Sequence, residues 1–395
     1  MATTSRQARR EMDRISSLPD EPLCHILSFL QTQEAAATSV LSKRWRHLWT
    51  SVPTLDFDFD EKIYSNMGRP SYCFEKFIYA TILARDARQP IRSFRLKYEA
   101  ETYCRNADVN VWVNTVLQRG IENLHLWMSK FCRRNNVLRI VSCKTLVVLK
   151  LRGLRVYASS PVELPSLKSL HLEHVEFRKR QSILELVRGC PIIEDLKART
   201  IHYVGFINYA DRDPSVDAFF CDGAVKILPK LVRADLSPFC VDVPLKAICN
   251  VEFLTLNTNQ YPNPLDDVVP KFPNLIHVVL QVDLFVNWPL VLAMLKNCPK
   301  LQVFELDCEG QPEDESFLPD PHFVPECLTS QFRKCSLEYY YGTESELRFA
   351  KYIMQNSTTL RTMTICSKPS LSPQAKLKML KQLALCPKRC ELSFE

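Results

Sequence analysis

Cysteine and histidine are the side chains of this sequence most able to bind metal or act as nucleophiles, and the chain holds 16 and 8 of them. Cys386 and Cys390 form a single C-x-x-x-C pair, whereas a structural zinc site needs four ligands. His171 and His174 also stand as a lone pair, and such a pair is more often structural than metal-binding. We therefore predict neither a metal site nor a cofactor.

The glycines are too far apart to form a phosphate-binding loop. The chain has 8 of them, and no two lie within five positions of each other. The G-x-G-x-x-G fingerprint and the Walker A loop both need clustered glycines to bring backbone N–H groups onto phosphate. The H-E-x-x-H and G-x-S-x-G motifs are also missing. We predict a non-catalytic protein; an enzyme whose site is assembled from distant residues is the alternative that motifs do not test.

The charge of the chain gives little support for nucleic acid as a partner. The formal net charge is +7, from 51 basic and 44 acidic residues, which is mild for 395 residues. The basic runs Arg178-Lys179-Arg180 and Lys130-x-x-Arg133-Arg134 are predicted to be solvated rims. Contact with phosphate or an acidic partner is the alternative for both runs.

The N-terminal segment Met1–Arg14 is polar and basic, without the apolar stretch of a secretory leader. We therefore expect reduced thiols and a location in the cytoplasm, the nucleus or both. Residues 1–13 are predicted to be a disordered tail, in which Arg6, Arg9 and Arg10 are compatible with a weak nuclear signal. The most apolar long stretch, Phe272–Leu295, is interrupted by polar residues, so no membrane span is predicted.

Three short helices are predicted after this tail. Leu23, Ile26, Leu27 and Leu30 fall at i, i+3, i+4 and i+7, which predicts one apolar stripe on the first helix. Asp20 is the predicted N-cap, and Pro22 would then lie in the first turn, where its missing N–H is tolerated. The second helix is predicted from Gln33 to Leu41 and the third from Ser42 to Trp49.

This helical segment offers more apolar surface than three short helices can bury among themselves. The surplus would meet another protein or pack on the rest of this chain, and the pattern alone leaves both open. Its large apolar side chains are Leu18, Leu23, Ile26, Leu27, Phe29, Leu30, Val40, Leu41, Trp45, Leu48 and Trp49.

The same segment closely resembles the F-box of plant F-box proteins. The resemblance spans the whole motif without a gap, and its two departures, Pro22 and Gln31, lie off the apolar stripe. The matching runs are Ile15-Ser16-Ser17-Leu18-Pro19-Asp20-Glu21, Leu23-Cys24-His25-Ile26-Leu27-Ser28-Phe29-Leu30 and Ser39-Val40-Leu41-Ser42-Lys43-Arg44-Trp45-Arg46-His47-Leu48-Trp49.

The resemblance implies that residues 14–52 bind a Skp-type adaptor, which joins the protein to a cullin ubiquitin-ligase scaffold. It implies that Leu18 and Pro19 seat in the adaptor. Other residues would form or back the helical interface, some of them as internal core: Leu23, Ile26, Leu27, Leu30, Val40, Leu41 and Trp45.

A recurring apolar triplet, L-x-x-L-x-L in its cleanest form, follows the helical segment. Most copies are separated by the 20 to 31 residues typical of leucine-rich repeats or slightly more. The alternating last two positions suit the buried face of a short strand, and stacked strands would make a continuous core and a curved parallel sheet. The copies begin at Val52, Ile91, Ile121, Leu146, Leu167, Ile193, Leu231, Val251, Leu275, Leu301, Phe332 and Leu360, and Leu392-x-Phe394 is a half-copy.

Segments between these strands show helical spacing, as in Ser182–Val187 and Pro289–Leu295. Cysteine-proline pairs precede several strands, and we expect their thiols to be small buried hydrophobes: Cys190-Pro191, Cys298-Pro299 and Cys386-Pro387. One long gap contains Tyr203–Gly223, predicted to be a loop or inserted hairpin.

The C-terminal region has a strand–helix–strand order that resembles the FBD segment of many plant F-box proteins with leucine-rich repeats. An acidic, proline-containing loop, Glu309–Glu326, precedes it. We therefore predict a small all-α F-box, then an α/β leucine-rich-repeat solenoid with a curved parallel sheet, closed by an FBD cap. The predicted boundaries are 14–52 for the F-box, 53–323 for irregular repeats and 324–395 for the FBD segment.

The leading functional hypothesis is a non-catalytic substrate receptor of an SCF-type ubiquitin ligase, holding an unidentified target protein on the repeats. A hormone-like small-molecule receptor on the same repeats is a second hypothesis, and a non-ligase interaction scaffold is a third. The sequence does not name the target or the signal that licenses its binding.

Overall fold

The computed structural model describes residues 15, 17–59, 69–99, 106–129, 137–140, 142–158, 162–179, 181–204, 227–236, 245–257, 269–282, 288–308, 318, 323–385 and 390–395. The chain divides into two compact units, Met1–Phe131 and Cys132–Glu395. Several sequence predictions lie outside the described residues: the basic tail 1–13, the run Lys130 to Arg134, nearly all of 203–223, the Cys386-Pro387 pair and most of 309–326.

The first unit begins with three short helices, α1 (Asp20–Leu27), α2 (Thr32–Ala37) and α3 (Trp45–Leu48). Single 3₁₀ turns, Thr38–Val40 and Trp49–Ser51, complete the second and third. The predicted helices are therefore right in number and order, but the α-helical parts of the second and third are shorter than expected.

The N-terminus of α1 differs from the prediction. The N-cap is Pro19, and Asp20 is the first residue of the helix. The Asp20 carboxylate instead accepts a hydrogen bond from Nε of Arg44 at 2.9 Å, so it does not fold back onto the first helical N–H groups. Pro22 does lie in the first turn, as predicted.

The rest of the first unit alternates strands and helices: β1 (Thr54–Asp58), α4 (Pro70–Leu83), β2 (Ser93–Tyr98), α5 (Asn106–Leu117) and β3 (Asn123–Met128). The strands are parallel, in the order β1-β2-β3. Their inward side chains pack on the helices, and Phe57, Phe74, Phe94, Tyr98 and Trp112 are each no more than 1% exposed.

The second unit is a longer parallel ladder. Its strands are β4 (Val137–Ile140), β5 (Val148–Arg152), β6 (Arg155–Ala158), β7 (Ser169–Glu173), β8 (Glu176–Phe177), β9 (Asp195–Arg199), β10 (His202–Tyr203), β11 (Arg233–Leu236), β12 (Phe253–Asn257), β13 (His277–Val282), β14 (Val303–Cys308), β15 (Lys334–Tyr340), β16 (Thr362–Ser367) and β17 (Glu391–Phe394). Its helices are α6 (Gln181–Arg188), α7 (Trp288–Asn297), α8 (Glu326–Ser330), α9 (Glu344–Asn356) and α10 (Pro373–Ala384), with a 3₁₀ turn at Leu245–Ile248.

Two parallel sheets form in this unit. The larger runs β5-β7-β9-β11-β12-β13-β14-β15-β16-β17, and the smaller runs β4-β6-β8-β10. The predicted helical segments 182–187 and 289–295 lie inside α6 and α7, which confirms them. The smaller sheet was not predicted, because strands as short as Glu176–Phe177 have no measurable period.

The apolar triplets of the sequence mark the strands of the ladder. Strands β1 to β3 and the strands of the larger sheet each begin two residues after the start of a triplet. The exception is β17, which begins one residue before Leu392, the start of the half-copy. Leu167, Leu170 and Leu172 of one triplet are all fully buried. The strand prediction is confirmed because alternate side chains of a parallel strand must share one buried face.

The predicted strand–helix–strand of the C-terminal region is also present, as β15, α9 and β16. β15 pairs with β14 and β17 pairs with β16, so this region continues the ladder. That it closes the ladder as a cap remains a prediction, since Leu392 and Phe394 of β17 are only half-buried.

The thiols before the strands are buried, as predicted for Cys190 and Cys298, both 0% exposed. Burial raises the pKa of Cys190 to about 12 and also raises that of Cys298. A pKa three units above that of a free thiol lowers the reactive thiolate fraction about a thousandfold. We expect both to resist alkylation by iodoacetamide at pH 8 in the native protein and to react after denaturation, as measured by mass spectrometry.

The half-buried Cys73 provides the internal reference for that experiment. It should be alkylated in the native protein before Cys190 and Cys298. Labelling of all three at equal rates without denaturant would show that the interiors of the repeats open freely.

Candidate docking surface on the N-terminal helices

The three N-terminal helices enclose a small apolar core. Its buried members are Leu23, Leu27, Ala35, Trp45, Leu48 and Val52, with Leu18, Cys24 and Trp49 packed against them. Burying several large side chains in so short a segment leaves little room for the remaining apolar residues, so those face outward.

The single apolar stripe predicted for α1 is split by the structure. Leu23 and Leu27 are at most 1% exposed, whereas Ile26 is 48% exposed. Adjacent helical positions point about 100° apart, so the core boundary falls between Ile26 and Leu27. Leu30 lies beyond the end of α1 and is 37% exposed.

Several large apolar side chains of this segment are solvent-exposed. Val40 is 86% and Leu41 is 65% exposed after α2, and Phe29 is 77% exposed after α1. Exposed side chains of this size concentrated in one short segment are typical of protein–protein interaction surfaces. We define the exposed apolar set as Ile26, Phe29, Leu30, Val40 and Leu41.

A hydrogen-bonded turn precedes these helices. Arg44 donates from one terminal nitrogen to the carbonyl oxygen of Leu18 at 2.6 Å, and its guanidinium also binds the Asp20 carboxylate. Leu18 is half-buried against the core, while Pro19 is exposed. Arg44 therefore holds the Leu18-Pro19 pair in a defined position, with the proline facing solvent.

The structure thus sorts the nine residues predicted to form or back an adaptor interface. Pro19, Ile26, Leu30, Val40 and Leu41 are exposed, and Leu18 is half-buried. Leu23, Leu27 and Trp45 lie inside the core, so they back the surface and are not themselves available for contact. Binding of an adaptor by the exposed residues remains a prediction.

Two exposed apolar residues were not among those nine. Phe29 and Ile15 are 77% and 57% exposed. The sequence contains a signal for Phe29, because residues three apart, such as Ile26 and Phe29, are neighbours on a helix surface. The prediction missed it because it assumed a single apolar stripe, to which Phe29 does not belong. Its ring contacts His25 edge-on at 4.9 Å between centroids.

Hydrogen bonds join the N-terminal helices to β1 and to the end of α4. The backbone N–H of Asp56 donates to Oγ1 of Thr32 at 2.8 Å, which joins α2 to β1. Arg85, just after α4, donates to the carbonyl oxygens of Trp49, at 3.1 Å, and Val52. Arg85 is 6% exposed, and burial together with the nearby Arg119 lowers its pKa to about 10.

The two histidines considered for metal binding lie in and just after β7. Nε2 of His171 lies 2.7 Å from the Asp195 carboxylate across two neighbouring strands. His174 lies just after β7 with a positive φ of 52°. Among the described residues, no three His, Cys, Asp or Glu side chains are grouped to hold a metal ion.

The described helices include none that is both long and apolar enough to cross a membrane. Family models match three parts of the chain: the F-box domain at 15–56, a leucine-rich repeat at 166–191 and the FBD at 320–365. An F-box/FBD/LRR-repeat protein of Arabidopsis thaliana is 31% identical over 413 residues, covering 93% of this chain and 89% of the relative. This chain belongs to the F-box/FBD/LRR-repeat family.

Other relatives match this chain along nearly their whole length. An FBD-associated F-box protein of Arabidopsis thaliana is 30% identical, with 97% of this chain and 100% of the relative covered. A further F-box/FBD/LRR-repeat protein of the same plant is 28% identical over 97% of this chain and 99% of the relative. The exposed apolar set and the Leu18-Pro19 turn both lie within the matched F-box domain.

Arg44 gives a test of how the Leu18-Pro19 turn is held. We expect Arg44→Ala to weaken adaptor binding several-fold, because a freed turn must be ordered on binding, at about 0.5–1 kcal/mol. Folding stability should fall by at most about 1 kcal/mol, since the pair with Asp20 is exposed. Calorimetric titration with a recombinant Skp-type adaptor measures the first effect, and urea denaturation measures the second.

Lys43→Ala is the matched control for that variant, because Lys43 is the exposed basic neighbour of Arg44. If both substitutions change the affinity equally, net charge is responsible and the hydrogen bonds of Arg44 to the turn are not.

Proposed function

We propose that this protein is the substrate-recognition subunit of an SCF-type cullin ubiquitin ligase. Its F-box would dock a Skp-type adaptor, and its leucine-rich repeats would hold a target protein. The subunit itself performs no chemistry in this proposal. It raises the local concentration of the target beside the transferring enzyme, as linked binding sites do.

The exposed apolar set is the observation that carries the proposal. An F-box with a complete internal core has no folding requirement for exposed Phe29, Val40 and Leu41. Burying each such side chain against a partner contributes about 1.5–3 kcal/mol, so several together support a stable complex. The membership of the chain in an F-box family supplies the adaptor as the partner.

The division of labour along the chain is part of the proposal. Residues 14–52 would contact the adaptor, 53–323 would form the repeat platform, and 324–395 would continue and cap it. Residues 1–13 would be a basic tail. A location in the cytoplasm, the nucleus or both fits a ligase of this class and remains a prediction.

Co-purification with a recombinant Skp-type adaptor tests the proposal directly. The wild-type protein should elute with the adaptor on size-exclusion chromatography, and the Leu18→Ala/Pro19→Ala double variant should elute apart from it. Failure of the correctly folded wild type to bind would overturn the proposal. Equal binding of both proteins would remove the Leu18-Pro19 turn from the interface.

A further inference from the structure

The larger sheet of the second unit has one face whose side chains are not used in its core. Along β5, β7, β9, β13 and β14, the first, third and fifth side chains are half-buried, while those between them are buried. Backbone registers align these outward side chains in rows that cross the strands. We call this surface the open face.

Basic side chains predominate at the β5–β9 end of the open face. Lys150 and Lys197 flank His171 in one row, while Arg152 and Arg199 flank Glu173 in the next. Arg199 is bound by Asp235, with Nε to Oδ1 at 3.0 Å. Within the described residues, Lys150, Arg152 and Lys197 form no ion pair, so their charges are available to a partner.

The middle of the open face carries no acidic side chain. Its outward positions on β12 and β13 hold Phe253 and Thr255 beside His277 and Val279. The guanidinium of Arg233 lies 5.0 Å over the Phe253 ring, at the border with the basic end. This middle section suits apolar and uncharged polar groups.

Acidic side chains predominate at the β14–β15 end. Glu305 and Asp307 lie on β14, and Asp307 is in register with Glu338 of β15. One basic side chain, Lys334, lies at the outward positions of these two strands, and its Nζ is 3.4 Å from Oε1 of Glu305. Burial raises the pKa of Asp307.

We propose that the open face binds an extended segment of the target protein that is acidic at one end, uncharged in the middle and basic at the other. Such a segment would lie across the strands, with its acidic end on β5–β9 and its basic end on β14–β15. Opposite charges at the two ends would set its direction and reject unsuitable partners. This inference rests on the proposed function and adds the chemistry of the target.

The spacing of the strands gives the length of the segment. Lys150 on β5 and Glu338 on β15 are separated by seven strand-to-strand steps. At about 4.8 Å a step, that is about 34 Å along the sheet. An extended polypeptide covers this distance with about ten residues. A nucleic acid is negative along its whole length, so the acidic end would repel it.

Synthetic peptides of about twelve residues test the proposal without any need for the natural target. The bipolar probe has four glutamates, then alternating valine and threonine, then four lysines. The comparison probe has the same composition with glutamate and lysine alternating. Fluorescence anisotropy with the full-length protein at low salt should show that the bipolar probe binds about tenfold more tightly, equivalent to one strong charge pair.

Variants at each end locate the binding site. Lys150→Glu/Lys197→Glu and Glu305→Gln/Glu338→Gln should each reduce the affinity for the bipolar probe about tenfold. Lys230→Glu/Lys378→Glu, which reverses two exposed lysines outside the open face, should leave it unchanged. Circular dichroism confirms that each variant is folded.

The inference would be overturned if the two probes bound with equal affinity. It would also be overturned if the Lys230→Glu/Lys378→Glu control lost as much affinity as the variants of the open face. Tighter binding of single-stranded RNA than of the bipolar probe would also overturn it. The assay contains no adaptor, so its failure is distinguishable from failure of the proposed ligase function.

Discussion

Replacing Val40 and Leu41 together by aspartate is expected to weaken the binding of a Skp-type adaptor by about a hundredfold or more. Each wild-type side chain contributes about 1.5–3 kcal/mol when a partner buries it, and about 3 kcal/mol corresponds to more than a hundredfold in affinity. The variant also places two carboxylates where the partner would have to desolvate them. Calorimetric titration of the adaptor measures the change.

The fold should tolerate that double substitution. Val40 and Leu41 are 86% and 65% exposed, so neither contributes much to the core. Surface substitutions of this kind usually change the free energy of unfolding by no more than about 0.5 kcal/mol each. The urea midpoint of the variant should therefore stay close to that of the wild type.

The matched control replaces exposed leucines outside the F-box. Leu377 and Leu385 are 52% and 85% exposed in or just after α10, and their double substitution by aspartate removes comparable apolar surface. That variant should bind the adaptor with unchanged affinity. If it loses as much affinity as the Val40/Leu41 variant, or if the latter still binds fully, the exposed apolar set is not the docking surface.

Replacing Arg85 by methionine is expected to destabilise the first unit by about 3 kcal/mol. The side chain is buried and donates to the carbonyl oxygens of Trp49 and Val52, at the end of the F-box. Hydrogen bonds from a charged donor contribute about 1.5–3 kcal/mol each. Their loss leaves the buried Val52 carbonyl oxygen without its charged donor, while the Trp49 carbonyl oxygen keeps the N–H of Val52 at 3.4 Å. Methionine retains most of the apolar volume, so the loss reports the hydrogen bonds more than the packing.

Arg88→Met is the control for this effect, because Arg88 is exposed three residues further along. It should change the unfolding free energy by no more than about 0.5 kcal/mol. Urea denaturation followed by tryptophan fluorescence compares the variants, and Trp49 and Trp112 of this unit report on it. Equal stability of Arg85→Met and wild type would show that the carbonyls are satisfied in another way.

The position of Arg85 also has a functional consequence. Together with the bond from the Asp56 N–H to Thr32, it holds the F-box against β1 and α4. An adaptor docked on the exposed apolar set would therefore have a fixed orientation relative to the first strands of the repeat region. A receptor that presents a target to a separate enzyme benefits from this rigidity, because it narrows the positions that the target can occupy.

The strands were the most predictable part of the protein. A triplet such as Leu167-x-x-Leu170-x-Leu172 places its last two leucines two residues apart, and only an extended strand puts such residues on one face. The two-residue strands of the smaller sheet could not be predicted from the sequence, because they form only when neighbouring repeats stack. The predicted N-cap at Asp20 was wrong because Arg44, 24 residues later, binds its carboxylate.

The sequence alone determined the family, the order of its parts and the presence of surplus apolar side chains in the F-box, because motif and periodicity are local properties of the chain. Only the tertiary structure decided that Leu23, Leu27 and Trp45 lie inside while Ile26, Val40 and Leu41 lie outside. All six are large hydrophobic residues, and their burial depends on which helices pack against them. Arg85 and the charge pattern of the open face likewise depend on residues distant in sequence that folding brings together.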